Sequence, residues 1–232
     1  MVEDYYTSRK SQLLRDFDKT VKRLKNVFAS RYGGESTDAM IKEVRMEYEG
    51  LIPQLPYVGG RKPFTEFVVA TAQFLAMYRV LKNHGRTVEE TGRLIYELCE
   101  ELLDSYPRFV LRLVGNMNFS GRHLKALRKR AAESQRRENP DDYVYAFVEG
   151  DGREFDFGVD YTECATLKFL IRQGAPELAS YTCLVDILYS ERFGWGLVRT
   201  MTLADGYPKC DFRFKKGGVT RVASWVSVKN NL

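Results

Sequence analysis

The chain has 232 residues, 44% of them hydrophobic, which is enough for one sizeable core and excludes a disordered polymer. Lys and Arg exceed Asp and Glu by 36 to 31, and the resulting +5 is spread too thinly to argue for nucleic acid, although it suits an anionic ligand. Four cysteines at positions 99, 164, 183 and 210 form no CxxC pair, and the acidic start Met1-Val2-Glu3-Asp4 lacks the order of a signal peptide, so reduced thiols and a cytoplasmic location are expected.

From the N-terminus, Leu13, Leu14, Phe17, Val21, Leu24 and Phe28 recur at helical spacing over residues 8–32, and Gly33-Gly34 ends the run. A second helix carries Met40, Ile41, Val44 and Tyr48 until Pro53-Gln54-Leu55-Pro56 breaks it, and the loop with Gly59-Gly60 reads as a lid. Pro63 opens a helix with a broad apolar face up to Asn83-His84-Gly85. Its most apolar run, Phe67 to Tyr78, contains Gln73 and is short of the ~20 residues of a membrane span, so no membrane partner is expected. Thr87-Val88-Glu89-Glu90 is a capping box for the next helix, where Cys99 reads as a small buried apolar residue.

A short helix is predicted over 107–117 and another after Ser120, bearing Arg122, His123, Lys125, Arg128, Lys129, Arg130, Arg136 and Arg137. With no interleaved aromatic residues, that basic stretch reads as a solvated face. Near Glu138-Asn139-Pro140 the period changes from helical to alternating, dividing a helical part, 1–138, from an α+β part, 139–232. Segments 144–148 and 153–159 flank Gly150-Asp151-Gly152 as a hairpin, followed by helices over 162–173 and 176–192. A second hairpin joins 195–203 to 210–214 around Asp205-Gly206, and the alternation of Val222, Ser224, Val226 and Val228 predicts an edge strand. The class is therefore α+β: a helical N-terminal half packed on a C-terminal antiparallel sheet with helices on one face.

Chemistry concentrates between Cys164 and Phe214, where three thiols share a stretch with acids and Arg199. Cys164, Cys183 and Cys210 fall on two helices and a strand, so convergence in space is a wager rather than a consequence of spacing. The readings that remain open are three buried small hydrophobes, a zinc site completed by Asp186 or Glu163, and a nucleophile. A thiol of pKa ~8.5 needs a cation or a helix N-terminus beside it to act near neutrality. Arg199 is the candidate for that cation, whereas His84 and His123 lie in the helical half and read as surface or helix-end residues. Thr202 either positions a water or favours the strand, Gly206 is a turn residue, and Phe212 and Phe214 are core.

The ordered series Cys164, Cys183-x-x-Asp186, Arg199-x-x-Thr202-Leu203-Ala204-x-Gly206-x-x-x-Cys210-Asp211-Phe212 resembles the signature of the L-2-amino-thiazoline-4-carboxylic acid hydrolase family, over about the last third of the chain. The resemblance implies hydrolytic opening of a cyclic amidine-like ring at the carbon between nitrogen and sulfur. Cys164, Cys183, Asp186 and Cys210 are then the catalytic candidates, and Arg199, Thr202 and Asp211 the substrate-binding ones. A carboxylate such as Asp186 or Asp211 would hold the protonated isothiourea, and Arg199 would take the substrate carboxylate. No cofactor is expected and the partner is a small molecule. The competing reading is a non-catalytic sensor, loosely similar to vinyl-reductase-type domains, in which the cysteines bind zinc or shape a ligand cavity.

Overall fold

The computed structural model describes residues 4–60 and 62–223. Helices α1 (Asp4–Thr7), α2 (Lys10–Tyr32), α3 (Gly34–Leu51), α4 (Lys62–Asn83), α5 (Val88–Asp104), α6 (Arg108–Met117) and α7 (Gly121–Ser134) precede the sheet. The chain continues through β1 (Val144–Glu149), β2 (Phe157–Glu163), α8 (Ala165–Arg172), α9 (Ala179–Phe193), β3 (Leu197–Arg199), β4 (Cys210–Phe214) and β5 (Arg221–Val222). The five strands lie in the order β1-β2-β4-β3-β5, antiparallel except for β3 and β5, so the α+β expectation holds. The predicted edge strand exists at Val222, while Ser224, Val226 and Val228 lie outside the described residues.

The helical half forms because each apolar stripe finds a partner. Helices α2, α3, α4 and α5 pack in succession, burying Phe17, Phe28, Tyr48, Leu75, Leu81, Leu94 and Ile95. The capping box at α5 is present: the Glu90 amide donates to Thr87 Oγ1 at 3.2 Å and the Thr87 amide to Glu90 Oε2 at 2.9 Å. Helix α4, at 22 residues, is long and apolar enough by composition to cross a bilayer, yet Val68, Ala72, Leu75 and Ala76 are fully buried in protein. The loop after α3 is not a free lid. Leu55, Pro56 and Val58 are buried, and the Tyr6 hydroxyl donates to the Pro56 carbonyl at 3.1 Å.

Two corrections to the predicted strands have local causes. The first hairpin is wider than expected because Asp151 Oδ1 accepts the amides of Arg153 and Glu154, holding the chain in a turn until β2 begins at Phe157. Strand β2 then runs to Glu163, so Cys164 is the N-cap of α8 rather than a residue within the helix. Strand β3 is only three residues long, since the chain beyond Arg199 is drawn off by Asp211 and Thr202.

The register fixes which side chains share a face. Tyr145, Tyr161 and Cys210 stand directly across from one another on β1, β2 and β4, and Phe147, Val159 and Phe212 form the next row. Arg199 and Leu197 alternate onto the same face from β3. On the opposite face, Asp160 pairs with Lys209 at 2.6 Å and Arg213 at 2.7 Å. Helix α7 shields the β1 edge, where Ser134 Oγ donates to the Tyr145 carbonyl at 3.0 Å and accepts its amide at 3.1 Å. One hydrophobic cluster runs from Tyr6 to Leu188, so the change of secondary structure near residue 139 is bridged by shared core.

Candidate active site

Between the inner face of the sheet and helices α8 and α9, Arg199 is almost wholly buried, 1% exposed. Its guanidinium donates to Asp186 Oδ2 at 2.5 Å and to the Cys183 carbonyl at 3.2 Å, and it lies 5.2 Å over the Phe212 ring. Three of its contacts thus hold it to α9 and β4, and Nε is buried without a partner. This reassigns Arg199. A cation sealed behind Asp186 serves that carboxylate first, not the carboxylate of an incoming ligand.

Cys183 and Asp186 are three residues apart on α9 and therefore face the same way. Asp186 retains 41% of its side-chain surface, yet burial pushes its carboxyl up, with Arg199 pulling in the opposite direction. Accessible surface on a carboxyl that is nevertheless crowded by protein describes a group at the wall of a recess. Arg199 stays cationic: burial works against its charge, but Asp186 outweighs it. The pair is an anchored carboxylate with reduced acidity.

The three thiols border this pair. Burial pushes all of them up, and Cys210 reaches about 11. Cys183 also feels Arg199, Asp186, Cys164 and Cys210, while Cys210 feels Cys164, Arg199 and Asp186. Cys164, Cys183, Cys210, Asp186 and Arg199 thus lie within electrostatic reach of one another. They do not form a metal nest, for among the described residues no three His, Cys, Asp or Glu side chains come close enough together to hold an ion.

Their environments differ in a useful way. Cys164 occupies the N-cap position of α8, its sulfur lies 3.0 Å from Thr166 Oγ1, and the nearby amides of Leu167 and Thr166 favour its thiolate. Cys210 Sγ accepts the Leu203 amide at 3.2 Å. Cys183 has no donor of this kind among its main influences. Cys99, on α5, is buried and pushed up to about 12, as a packing residue should be. The histidines serve elsewhere: His84 is exposed and pairs with Glu43 at 2.9 Å, and burial lowers His123 on α7.

Asp211 and Thr202 are placed differently from what a substrate-binding role requires. Asp211 Oδ1 accepts the amides of Thr200 at 2.8 Å and Met201 at 2.6 Å, and Oδ2 accepts the Thr200 hydroxyl at 2.5 Å. Thr202 Oγ1 accepts the Asp205 amide at 3.0 Å and donates to Asp205 Oδ2 at 2.6 Å, closing a short turn over Leu203–Asp205. That turn brings the Leu203 amide to Cys210, so both residues shape the wall rather than face a ligand.

A scan against family models matches residues 66–214 to the one described as L-2-amino-thiazoline-4-carboxylic acid hydrolase. The chain belongs to that family. The match begins in α4, well before the last third of the chain, so α5, α6 and α7 are part of the family's common frame. All seven candidate residues lie inside it, and it ends at Phe214, the last residue of β4. No curated protein and no solved structure matches the chain. Family membership carries a hydrolase name and a small-molecule substrate class. The roles of individual residues must come from the recess.

Sequence reading missed Tyr143 and Tyr161, whose phenols border Cys164 and whose rings lie 6.1 Å apart. The alternation Phe157, Val159, Tyr161 was a signal that Tyr161 faces inward, but its apposition to Cys210 depends on register, which the segment does not encode by itself.

Proposed function

We propose that this chain hydrolyses a small cyclic amidine-like carboxylate, 2-amino-thiazoline-4-carboxylate or a close relative, with Cys164 as nucleophile and Asp186 as its base. The observation that supports this most is a thiol at a helix N-terminus that lies within electrostatic reach of a carboxyl whose acidity burial has reduced and Arg199 holds in place. A base of raised pKa is better matched to a thiol than an ordinary aspartate.

In this reading Asp186 takes the proton of Cys164, and Sγ bonds to the ring carbon between nitrogen and sulfur. The bond from that carbon to the ring sulfur breaks, and the departing thiolate recovers the proton from Asp186. The ring is now open and its amidine carbon is attached to Cys164. Water then adds to the same carbon, the bond to Sγ breaks, and its spare proton returns to Cys164 through Asp186. One water is consumed and an N-carbamoyl cysteine is released. A sulfur leaving group needs little acid assistance, which agrees with a site that lacks histidine.

The test is turnover of 2-amino-thiazoline-4-carboxylate by the purified chain, followed by mass spectrometry of the product. The wild type should form the ring-opened product, and Cys164→Ala should lose turnover by at least ~100-fold while remaining folded. A Cys164→Ala protein as active as the wild type would remove the nucleophile, and turnover of no thiazoline or related cyclic amidine would remove the reaction.

A further inference from the structure

The hydrolytic reading leaves one polar group of the recess without a task, the phenol of Tyr161. Its position is set by the sheet: Tyr161 lies opposite Cys210 on β4 and Tyr145 on β1, on the face that carries the recess. Its ring is braced by Tyr145 at 5.1 Å and by Phe212, edge-on, at 5.5 Å. Around it stand Asp186, Cys164 and Cys210, each of which opposes ionisation of the phenol. The side chain is only half-buried, and among the described residues nothing hydrogen-bonds its hydroxyl. Tyr143 differs, because its oxygen is sealed away from any accessible space.

A rigid phenol with a free O–H, held beside the nucleophile and the base, is a donor waiting for an acceptor. We propose that Tyr161 donates a hydrogen bond to the ring sulfur of the substrate as the bond from the central carbon to that sulfur breaks. This role rests on the hydrolytic reading. The phenol keeps its proton throughout, because burial first, and then the neighbouring Asp186 carboxylate, hold it neutral, and a thiolate is far too weak a base to remove it. The departing sulfur is therefore stabilised by Tyr161 and protonated by Asp186. Negative charge grows on sulfur only as the ring opens, so the interaction is stronger in the transition state than in the ground state and belongs in kcat.

The experiment uses the full chain and 2-amino-thiazoline-4-carboxylate. Tyr161→Phe keeps the ring contacts and removes the donor, so kcat should fall about 10- to 100-fold, with KM within about twofold and the unfolding temperature unchanged. Replacing Tyr161 by 3-fluorotyrosine and by 3,5-difluorotyrosine, which are progressively more acidic donors, should raise kcat stepwise at pH 7. A merely structural tyrosine would not respond to ring acidity. A wild-type kcat in Tyr161→Phe, or a flat response across the fluorinated series, overturns the role and leaves the reaction standing. No turnover by the unsubstituted chain removes the reaction and this role together.

Discussion

Replacing Arg199 by methionine isolates the anchor of the site. Methionine keeps an unbranched apolar stem over Phe212 but leaves the Asp186 carboxyl without its 2.5 Å partner and the Cys183 carbonyl without its 3.2 Å donor. Removing one member of a fully buried ion pair costs ~3–5 kcal/mol, and because Asp186 retains 41% of its side-chain surface the loss here should be about 2–3 kcal/mol. For a chain of this length that lowers the unfolding temperature by roughly 5–10 °C.

The loss should depend on pH with a definite sign. The folded-state pKa of Asp186 already lies above its ordinary value because of burial, and without Arg199 it moves further in the same direction. A carboxyl of this kind contributes stability that is fully present below the unfolded value of ~3.9 and disappears as pH rises through the folded value. Urea unfolding followed by tryptophan fluorescence at pH 5 and pH 8 should therefore show a larger deficit for Arg199→Met at pH 8. The double variant Arg199→Met, Asp186→Leu should recover most of the deficit at both pH values, since no stranded carboxyl remains. A deficit below ~1 kcal/mol, or one equal at the two pH values, would refute the claim that Asp186 depends on the buried Arg199.

Three further outcomes follow from other contacts. A Cβ at Gly115 on α6 would sit 2.1 Å from the Phe193 carbonyl oxygen of α9, a backbone atom that cannot rotate away, so Gly115→Ala should cost ~3 kcal/mol or more by urea unfolding. Burial opposes ionisation of Asp160, but Arg213 and Lys209 outweigh it and hold its carboxyl below the usual range. Its contribution is present above the unfolded value of ~3.9 and lost as pH falls through the folded value, so Asp160→Asn should flatten the acid limb of the stability profile. Timed alkylation with iodoacetamide and peptide mapping should modify Cys164 first and Cys99 last, with rates rising above pH ~8.5 because burial raises every thiol.

The parts of the fold governed by periodicity were legible. The stripes of α2, α4 and α5, the capping box at Thr87 and the three-residue spacing of Cys183 and Asp186 all reappear in three dimensions. What escaped was decided by side chains that bond to backbone. Asp151 delays β2, Asp211 and Thr202 shorten β3, and these bonds compete with the strand ladder at positions where alternation alone suggests continuity. The same bonds explain why Thr202 and Asp211, chemically plausible as ligand contacts, are walls. Arg199 stood out in the sequence, but its partner did not, because the choice between a ligand carboxylate and Asp186 depends on how β3 is placed against α9. Tyr161 lay in plain sight within an alternating strand, and only the pairing with β4 set it beside Cys210.

The central claim is that the recess between the inner sheet face and helices α8 and α9 is where the substrate is held. A crystal structure of Cys164→Ala soaked with 2-amino-thiazoline-4-carboxylate tests it directly. The account predicts the ligand in that recess, with its amidine edge on Asp186, its central carbon facing residue 164 and its ring sulfur toward Tyr161. A ligand bound at any other place, or Cys183, Cys210 and Asp186 facing away from it, would contradict the account.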